Sequence, residues 1–190
     1  HQKMSESKSN LYENNTSYVV THCHICKSNN LHSILFLGYL PPVNTMHPIG
    51  ARPAEQSGYP AELLQCSKCK LVQIGLVVDP KILFPPEYPY TSSTTKILKE
   101  NFAEMYRECQ SLMNLNSNDL VVDIGSNDGN LLSNFKDGHK VVGVTPEEIG
   151  KIAISRGIPT IISYFGKEVV KSILAEHGPA KVITATNVFA

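Results

Sequence analysis

The sequence lacks an excess of charge of either sign, because 17 Lys and Arg residues are balanced by 17 Asp and Glu residues. A chain without net charge has no global field that draws it to nucleic acid or to an anionic membrane, so we expect neither as a partner. Long apolar runs are also missing. Uncharged stretches such as residues 74–78 fall far short of the roughly 20 residues that a membrane-spanning helix needs.

The N-terminus lacks the apolar segment of a secretory signal. His1-Gln2-Lys3 precedes Met4 as a tag remnant would, and polar residues follow, so we expect a cytoplasmic protein. Residues 1–17 contain too few apolar side chains to pack and predict a disordered tail. A reducing cytosol keeps thiols free, so the five cysteines are available for metal binding or catalysis instead of disulfides.

Four of the cysteines form two Cys-x-x-Cys pairs, Cys23 with Cys26 and Cys66 with Cys69. A two-residue gap lets both thiolates of a tight turn face one tetrahedral ion, so we expect a structural zinc site closed to water. The alternatives are a redox pair and four unrelated buried thiols. The 39 residues between the pairs (27–65) must then make an excursion that returns to the metal. Four cysteines fill a tetrahedron, and the nearby histidines are therefore expected at the surface: His22, His24 and His32.

Domain organisation follows from composition. Residues 18–80 are punctuated by proline and glycine, cannot hold a long helix, and predict a zinc-ribbon-like domain. Residues 81–117 predict an aromatic loop and a linking helix. The helix is indicated by apolar residues spaced by 4, 3, 4 and 3, which share one stripe: Leu98, Phe102, Met105, Cys109 and Leu112. Cys109 is thus interpreted as a core residue, the alternative being a reactive thiol.

From residue 118 the pattern changes to short β-branched runs that alternate with helical segments. Strands are predicted at residues 120–124, 140–144, 160–162 and 181–184, and helices at 130–135, 147–156 and 167–177. This rhythm predicts βαβ units and a parallel sheet, hence an α/β fold in which residues 118–190 form a partial Rossmann-like domain.

The first of these strands runs into a turn with two glycines, in the segment Asp123-Ile124-Gly125-Ser126-Asn127-Asp128-Gly129. The turn at residues 125–129 is called the glycine loop below. Its Gly-x-x-x-Gly spacing matches neither the dinucleotide fingerprint nor a P-loop. A strand that ends Asp-x-Gly-x-x-x-Gly is typical of the first motif of S-adenosylmethionine-dependent methyltransferases. We therefore expect the cofactor at Asp123, Gly125, Ser126, Asn127 and Gly129, the alternative being a turn that binds nothing. The next strand ends at Thr145 where a ribose-binding acid is expected, with Glu147 as a substitute.

Several further segments stand in a specific order and spacing: Leu37-Gly38, Pro42, Cys66-Ser67-Lys68-Cys69-Lys70-Leu71-Val72-Gln73, Tyr88-Pro89-Tyr90-Thr91-Ser92-Ser93, Gly157-Ile158-Pro159-Thr160 and Asn187-Val188-Phe189-Ala190. With the cysteine pairs and the glycine loop, they make the chain resemble the N-terminal part of the zinc-containing C-methyltransferases that act on nucleotide-linked deoxysugars. The resemblance runs from about residue 20 to the last residue.

This resemblance implies a zinc-binding N-terminal domain, a class I methyltransferase core and a further C-terminal region, which together methylate a sugar carbon next to a keto group. It also implies the strand order 3-2-1-4, which leaves the strand predicted at residues 181–184 at an edge. It implies that Gly125, Asn127 and Gly129 cradle the cofactor, that Asn187 lies near the same pocket, and that Tyr90, or alternatively Tyr88, reaches the active site. Packing between domains is the other interpretation of the tyrosines. Thr145 departs from the acidic residue usual in the family.

Carbon methylation needs a base that removes the proton beside a carbonyl. No histidine of the chain stands at a suitable place, since His139 and His177 fall near turns or helix ends and His47 lies in the proline-rich segment. We therefore expect the base elsewhere, and expect the remainder of the same protein, or a second chain, to complete the sheet. Two other functions stay open, a non-catalytic zinc- and nucleotide-binding interaction module and a methyltransferase acting on RNA.

Overall fold

The computed structural model describes residues 17–43, 49–52, 55–86 and 90–188. These residues belong to two compact units, one up to Leu83 and one from Phe84 onward. No helix of the described residues is long and apolar enough to cross a membrane. Three predictions lie outside the described residues: the disordered tail, apart from Ser17, and the positions of His47 and Tyr88.

The first unit is built from short antiparallel sheets. Strand β1 (Tyr18–Val19) pairs with β5 (Leu76–Val77), and a second sheet has the order β2 (Leu31–Leu40), β3 (Tyr59–Cys66), β4 (Val72–Ile74). A short helix α1 (Pro80–Leu83) ends the unit. In the long β2–β3 pairing Leu40 is opposite Tyr59 and Leu31 is opposite Cys66. Strands β2 and β3 therefore form a long two-stranded ribbon that carries Cys66 back to the start of β2.

The second unit is an α/β domain with a four-stranded parallel sheet. Its strands are β6 (Leu120–Ile124), β7 (Lys140–Thr145), β8 (Thr160–Ile162) and β9 (Val182–Thr184), and their order is β8-β7-β6-β9. The helices are α2 (Lys96–Met113), α3 (Gly150–Ser155) and α4 (Lys167–Glu176), with 3₁₀ turns at Ser92–Thr94 and Leu132–Asn134. The predicted fold class and strand order are confirmed.

Both faces of this sheet are covered by apolar side chains, as parallel sheets require. The residues of β6 alternate between the two clusters, because successive side chains of a strand point to opposite faces. One cluster contains Phe102, Val121, Leu131, Leu132, Phe135, Val141, Ala153 and Ile158, with Cys109 packed against it. The other contains Leu120, Val122, Val142, Val144, Val169 and Ile173. The interpretation of Cys109 as a core residue is confirmed, and burial raises the pKa of its thiol.

Two predicted helices differ from those observed. The segment predicted at 130–135 holds only the 3₁₀ turn Leu132–Asn134, because the side chains of Ser133 and Asn134 donate to the Asn130 carbonyl and compete with the helical pattern. Helix α3 begins at Gly150 and not near 147. Its entry is a tight turn in which the Gly150 N–H donates to the Glu147 carbonyl, three residues back, so Pro146 lies ahead of the helix.

Candidate functional site

The four paired cysteines come together in the first unit. The sulfur atoms of Cys23, Cys26, Cys66 and Cys69 all lie within 4.8 Å of one another. The Cys23 and Cys69 sulfurs are 3.5 Å apart and those of Cys26 and Cys66 are 3.6 Å apart. These separations are far too long for a disulfide. They approach the roughly 3.8 Å expected between ligands of a tetrahedral zinc with Zn–S bonds of about 2.3 Å, so the geometry is that of a four-cysteine zinc-binding site.

Each cysteine pair lies in the same kind of turn. The N–H of Lys27 donates to the Cys23 carbonyl at 3.0 Å, and the N–H of Lys70 donates to the Cys66 carbonyl at 2.9 Å. Both lysines have left-handed backbones, with φ of 60° and 65°. The two turns therefore present their thiols from equivalent positions, which is the arrangement that a tetrahedral ion requires.

Backbone N–H groups prepare part of the sulfur cluster for a cation. The N–H of Cys69 is the largest influence on Cys66 and lowers the pKa of its thiol to about 6. The N–H of Cys26 similarly lowers the pKa of Cys23. For Cys69 the Leu71 N–H acts in the same direction, but the neighbouring sulfurs, Cys23 foremost, and burial outweigh it and raise the pKa to about 11. A divalent cation removes this conflict, since it stabilises all four thiolates together.

Two of the four cysteines are among the buried residues of this unit. Among the described residues up to Leu83, the buried apolar side chains are Val20, Cys23 and Cys66. Gln73, which is also buried, accepts a hydrogen bond from the His24 N–H at 3.0 Å and donates to the His22 carbonyl at 3.3 Å. Gln73 thus ties strand β4 to the first cysteine turn, a role that its polar character alone did not reveal. The side chains of His22, His24 and His32 are exposed, as predicted.

In the second unit, Asp123 lies at the carboxyl end of the central strand β6. It is only 2% exposed, and the Thr184 hydroxyl donates a hydrogen bond to its carboxylate at 2.7 Å. Burial raises the pKa of Asp123 to about 7, although the Thr184 hydrogen bond acts in the opposite direction. The carboxyl group is therefore poised to gain or lose a proton near neutral pH, at the point where β6 and β9 diverge.

The glycine loop after β6 is shaped by left-handed backbone conformations. Gly125 and Gly129 have φ of 74° and 78°, and Asn127 has φ of 50°. A Cβ atom on Gly125 would come within 2.5 Å of the Val188 side chain, and one on Gly129 within 2.8 Å of Ile158. Both glycines are thus required by the chain's own conformation and packing. Three of the loop amides also donate within the protein, those of Gly125 and Ser126 to the Val144 carbonyl and that of Gly129 to the Ser126 carbonyl.

One polar atom of the loop, the buried Ser126 hydroxyl, makes no hydrogen bond within the part of the chain that the structure describes. It lies over Gly143 of strand β7, where a Cβ would come within 2.5 Å of the hydroxyl oxygen. An unpaired buried hydroxyl is costly, so Ser126 is a candidate for a hydrogen bond to a ligand.

The remaining predicted cofactor residues lie at the neighbouring strand ends. Thr145 ends β7, is fully buried, and donates its hydroxyl to the buried carboxylate of Glu147. The position predicted for a ribose-binding acid therefore contains a threonine and a carboxylate joined by a hydrogen bond. Asn187 follows β9, has a left-handed backbone with φ of 54°, and is exposed. Its neighbour Val188 covers Gly125.

The aromatic loop is joined to the glycine loop, which the sequence did not predict. The Asn127 side-chain amide donates to the Tyr90 carbonyl at 3.0 Å and accepts from the Ser92 N–H at 2.9 Å. The Tyr90 side chain is half-exposed. Asn127 was expected to serve the cofactor, but both ends of its side chain are engaged by this loop. The structure thus brings Tyr90 next to the glycine loop.

Comparison with known proteins identifies related sequences for both units. Residues 23–84 match the Methyltransf_13 family model, whose description reads "Putative zinc binding domain". The chain is also similar to the C-methyltransferase NovU of Streptomyces niveus, with 27% identity over 173 residues that cover 90% of this chain and 41% of that protein. The chain therefore spans less than half the length of this relative. The resemblance to zinc-containing C-methyltransferases inferred from the motifs is confirmed.

Proposed function

We propose that this chain is the zinc- and cofactor-binding part of an S-adenosylmethionine-dependent methyltransferase that methylates a carbon of a nucleotide-linked keto-deoxysugar. The observation that carries the proposal is the buried carboxyl group of Asp123 at the reversal of strand order. The chain passes from β6 to β7 and β8 on one side and then places β9 on the other side of β6. Open α/β sheets bind ligands at such a switch point, outside the carboxyl ends of the strands.

The polar groups at this edge fit the cofactor's chemistry. S-adenosylmethionine carries cationic sulfonium and ammonium groups, and when bound it supplies an electrophilic methyl group. A cation beside Asp123 favours the carboxylate form that burial otherwise disfavours. The Ser126 hydroxyl offers one unused hydrogen-bonding group, and the Asn187 amide offers an exposed one. Glu147, paired with Thr145, is the carboxylate available for ribose hydroxyls.

The packing of the glycines sets a condition on this fit. Val188 covers Gly125, so a nucleoside that rests on the bare backbone there requires the exposed Val188 side chain to turn aside. Val188 is 37% exposed and follows the last strand, so its displacement breaks no strand pairing. The glycine loop itself keeps its shape through Gly129, which is packed against Ile158 and Ala153.

The catalytic base is assigned outside the described residues. His139 is held between Gln110, at 2.6 Å, and the Asn116 carbonyl, at 2.7 Å, and His177 ends helix α4. Neither lies at the carboxyl edge of the sheet. The residues here bind and orient the cofactor, and Tyr90 is the candidate on the substrate side.

The outer edge of β9 is the proposed place for a partner. Within the described residues β9 pairs only with β6, and Ile183 is 63% exposed. An unpaired apolar edge recruits another strand. The proposed partner is the remainder of a longer protein or a second chain that extends the sheet.

Calorimetric titration with S-adenosylhomocysteine tests the cofactor assignment. We expect saturable binding to one site per chain. The variant Asn187→Gly removes the amide but keeps a residue that tolerates the left-handed backbone, and we expect about fivefold weaker binding from the loss of one hydrogen bond. The matched control is Asn114→Gly, since Asn114 also has a left-handed backbone, with φ of 47°, at the end of α2.

The titration tests the cofactor site and the role of Asn187 separately. If the wild-type chain gives no binding heat at about millimolar ligand, which corresponds to roughly 4 kcal/mol of binding free energy, the methyltransferase proposal is wrong and the interaction module is favoured. If the wild type binds but Asn187→Gly binds equally well, the assignment of Asn187 is wrong and the cofactor site stands.

A further inference from the structure

Ser92 is the residue at which the aromatic loop and the glycine loop meet. Three of its groups are engaged by three residues of the glycine loop and its exit. The Ser92 N–H donates to Asn127 Oδ1 at 2.9 Å, its hydroxyl donates to Asp128 Oδ1 at 2.6 Å, and its carbonyl accepts from Asn130 Nδ2 at 3.2 Å. Ser92 is itself buried, 6% exposed, so water does not compete well for these hydrogen bonds.

The contacts act on the residues whose backbones define the glycine loop. Asn127 has a left-handed backbone, which is uncommon for a residue with a side chain. Its side chain is held from both ends by Tyr90 and Ser92. The loop conformation at Asn127 is therefore stabilised by hydrogen bonds to a segment 35 or more positions away in the sequence.

Asp128 extends the connection to helix α3. Its carboxylate is fully buried and accepts from Ser92 and, at 3.2 Å, from the Arg156 guanidinium at the end of α3. The same guanidinium donates to the Asp128 carbonyl at 3.1 Å. Burial alone would raise the pKa of Asp128, but hydrogen bonds from Ser92, Ser93 and Arg156 and the charge of Arg156 lower it overall. The carboxylate is thus kept ionised, as an acceptor between two elements.

We infer that Ser92 is a positioning residue of the cofactor site: it fixes the glycine loop through Asn127 and Asp128 and holds Tyr90 next to it. This inference rests on the proposed function. The aromatic loop and the glycine loop form one hydrogen-bonded unit. The segment from Tyr90 to Ser92 therefore contributes to cofactor binding in addition to the substrate-binding role proposed for Tyr90. Loss of the Ser92 hydroxyl then loosens the glycine loop without removing any group that touches the cofactor.

The test compares three variants of the full chain. Ser92→Ala removes the hydroxyl that donates to Asp128, and Ser92→Thr keeps a hydroxyl. The control Thr94→Val removes a hydroxyl from the same 3₁₀ turn, where Thr94 donates to the Thr91 carbonyl at 2.8 Å and is exposed. Amide hydrogen exchange is measured without ligand, and S-adenosylhomocysteine binding is measured by calorimetry.

We expect Ser92→Ala to exchange the amides of residues 125–130 about tenfold faster, while amides of β6 and β7 and the melting temperature change little. We expect its affinity for S-adenosylhomocysteine to fall about five- to tenfold, since a looser loop is ordered on binding. Ser92→Thr restores both properties and Thr94→Val leaves both unchanged. If Ser92→Ala does not fold, Asn130→Ala tests the same connection through the Ser92 carbonyl, with the same expected exchange at residues 125–130.

Three results overturn the inference: exchange in Ser92→Ala equal to that in Thr94→Val, wild-type affinity in Ser92→Ala, or a Ser92→Thr variant that behaves like Ser92→Ala. Faster exchange across the whole domain also overturns it, because that result indicates a general loss of stability. A wild-type chain that does not bind S-adenosylhomocysteine contradicts the proposed function instead, and the exchange measurement without ligand still decides whether Ser92 fixes the loop.

Discussion

Replacement of Asp123 by asparagine is expected to stabilise the protein at neutral and alkaline pH. The buried carboxyl group has its pKa raised from 3.8 to about 7, so the folded state resists its ionisation. Asparagine has nearly the same shape, carries no charge, and can still accept the hydrogen bond that Thr184 donates at 2.7 Å. The substitution thus removes the cost of a buried charge with little change in packing.

The magnitude follows from linkage between proton binding and folding. When the pKa of an acid is higher in the folded state than in the unfolded state, the folded state keeps its proton to a higher pH. The free energy of unfolding therefore falls as pH rises from the unfolded-state pKa to the folded-state pKa. The shift from 3.8 to about 7 corresponds to about 4 kcal/mol at 1.36 kcal/mol per pH unit. The part of this cost that develops between about pH 5 and about pH 8 is roughly 3 kcal/mol.

Urea denaturation of the zinc-loaded wild type and Asp123→Asn at these two pH values measures the effect. We expect the variant's advantage in free energy of unfolding to be about 3 kcal/mol larger at about pH 8 than at about pH 5. Other titrating groups are common to both proteins and cancel in the difference. An advantage that is equal at the two pH values within about 1 kcal/mol would refute the raised pKa and, with it, the argument that burial disfavours a carboxylate which a cationic ligand would stabilise.

Two further predictions concern the zinc centre and the sheet edge. Metal analysis should give one zinc per chain. Cys66→Ser should lose the zinc and make residues 18–83 sensitive to protease, because binding of a structural zinc contributes to folding, whereas the control Cys109→Ser, a change in the other unit's core, should keep the metal. Retention of zinc by Cys66→Ser would contradict the four-cysteine site. Light scattering should show that the isolated chain associates as its concentration rises, and Ile183→Lys should abolish this association. The control Ile154→Lys, a change at an exposed residue of α3, should leave the association in place. A wild-type chain that stays monomeric would exclude the edge as an association site.

The sequence determined those features that neighbouring residues encode. Two-residue gaps between cysteines produced the turns of the zinc site, and the predicted runs at 120–124 and 160–162 coincide with β6 and β8. The strand order 3-2-1-4 was implied by the resemblance to methyltransferases, and the structure confirms it. The helix predicted at 130–135 was wrong, since the side chains of Ser133 and Asn134 bond to the backbone there.

The contacts that hold the candidate cofactor site together join residues far apart in the sequence. Ser92 and Asp128 are 36 positions apart and yet share a hydrogen bond. Gly125 is covered by Val188 from the segment after β9, and Asp123 acquires its raised pKa because the surrounding strands and loops remove it from water. These properties depend on which side chains the packed sheet brings into contact, and local periodicity does not show which distant side chain will meet Ser92 or Gly125. The strands of the parallel sheet were therefore encoded locally, whereas the electrostatics and shape of the site arose from packing.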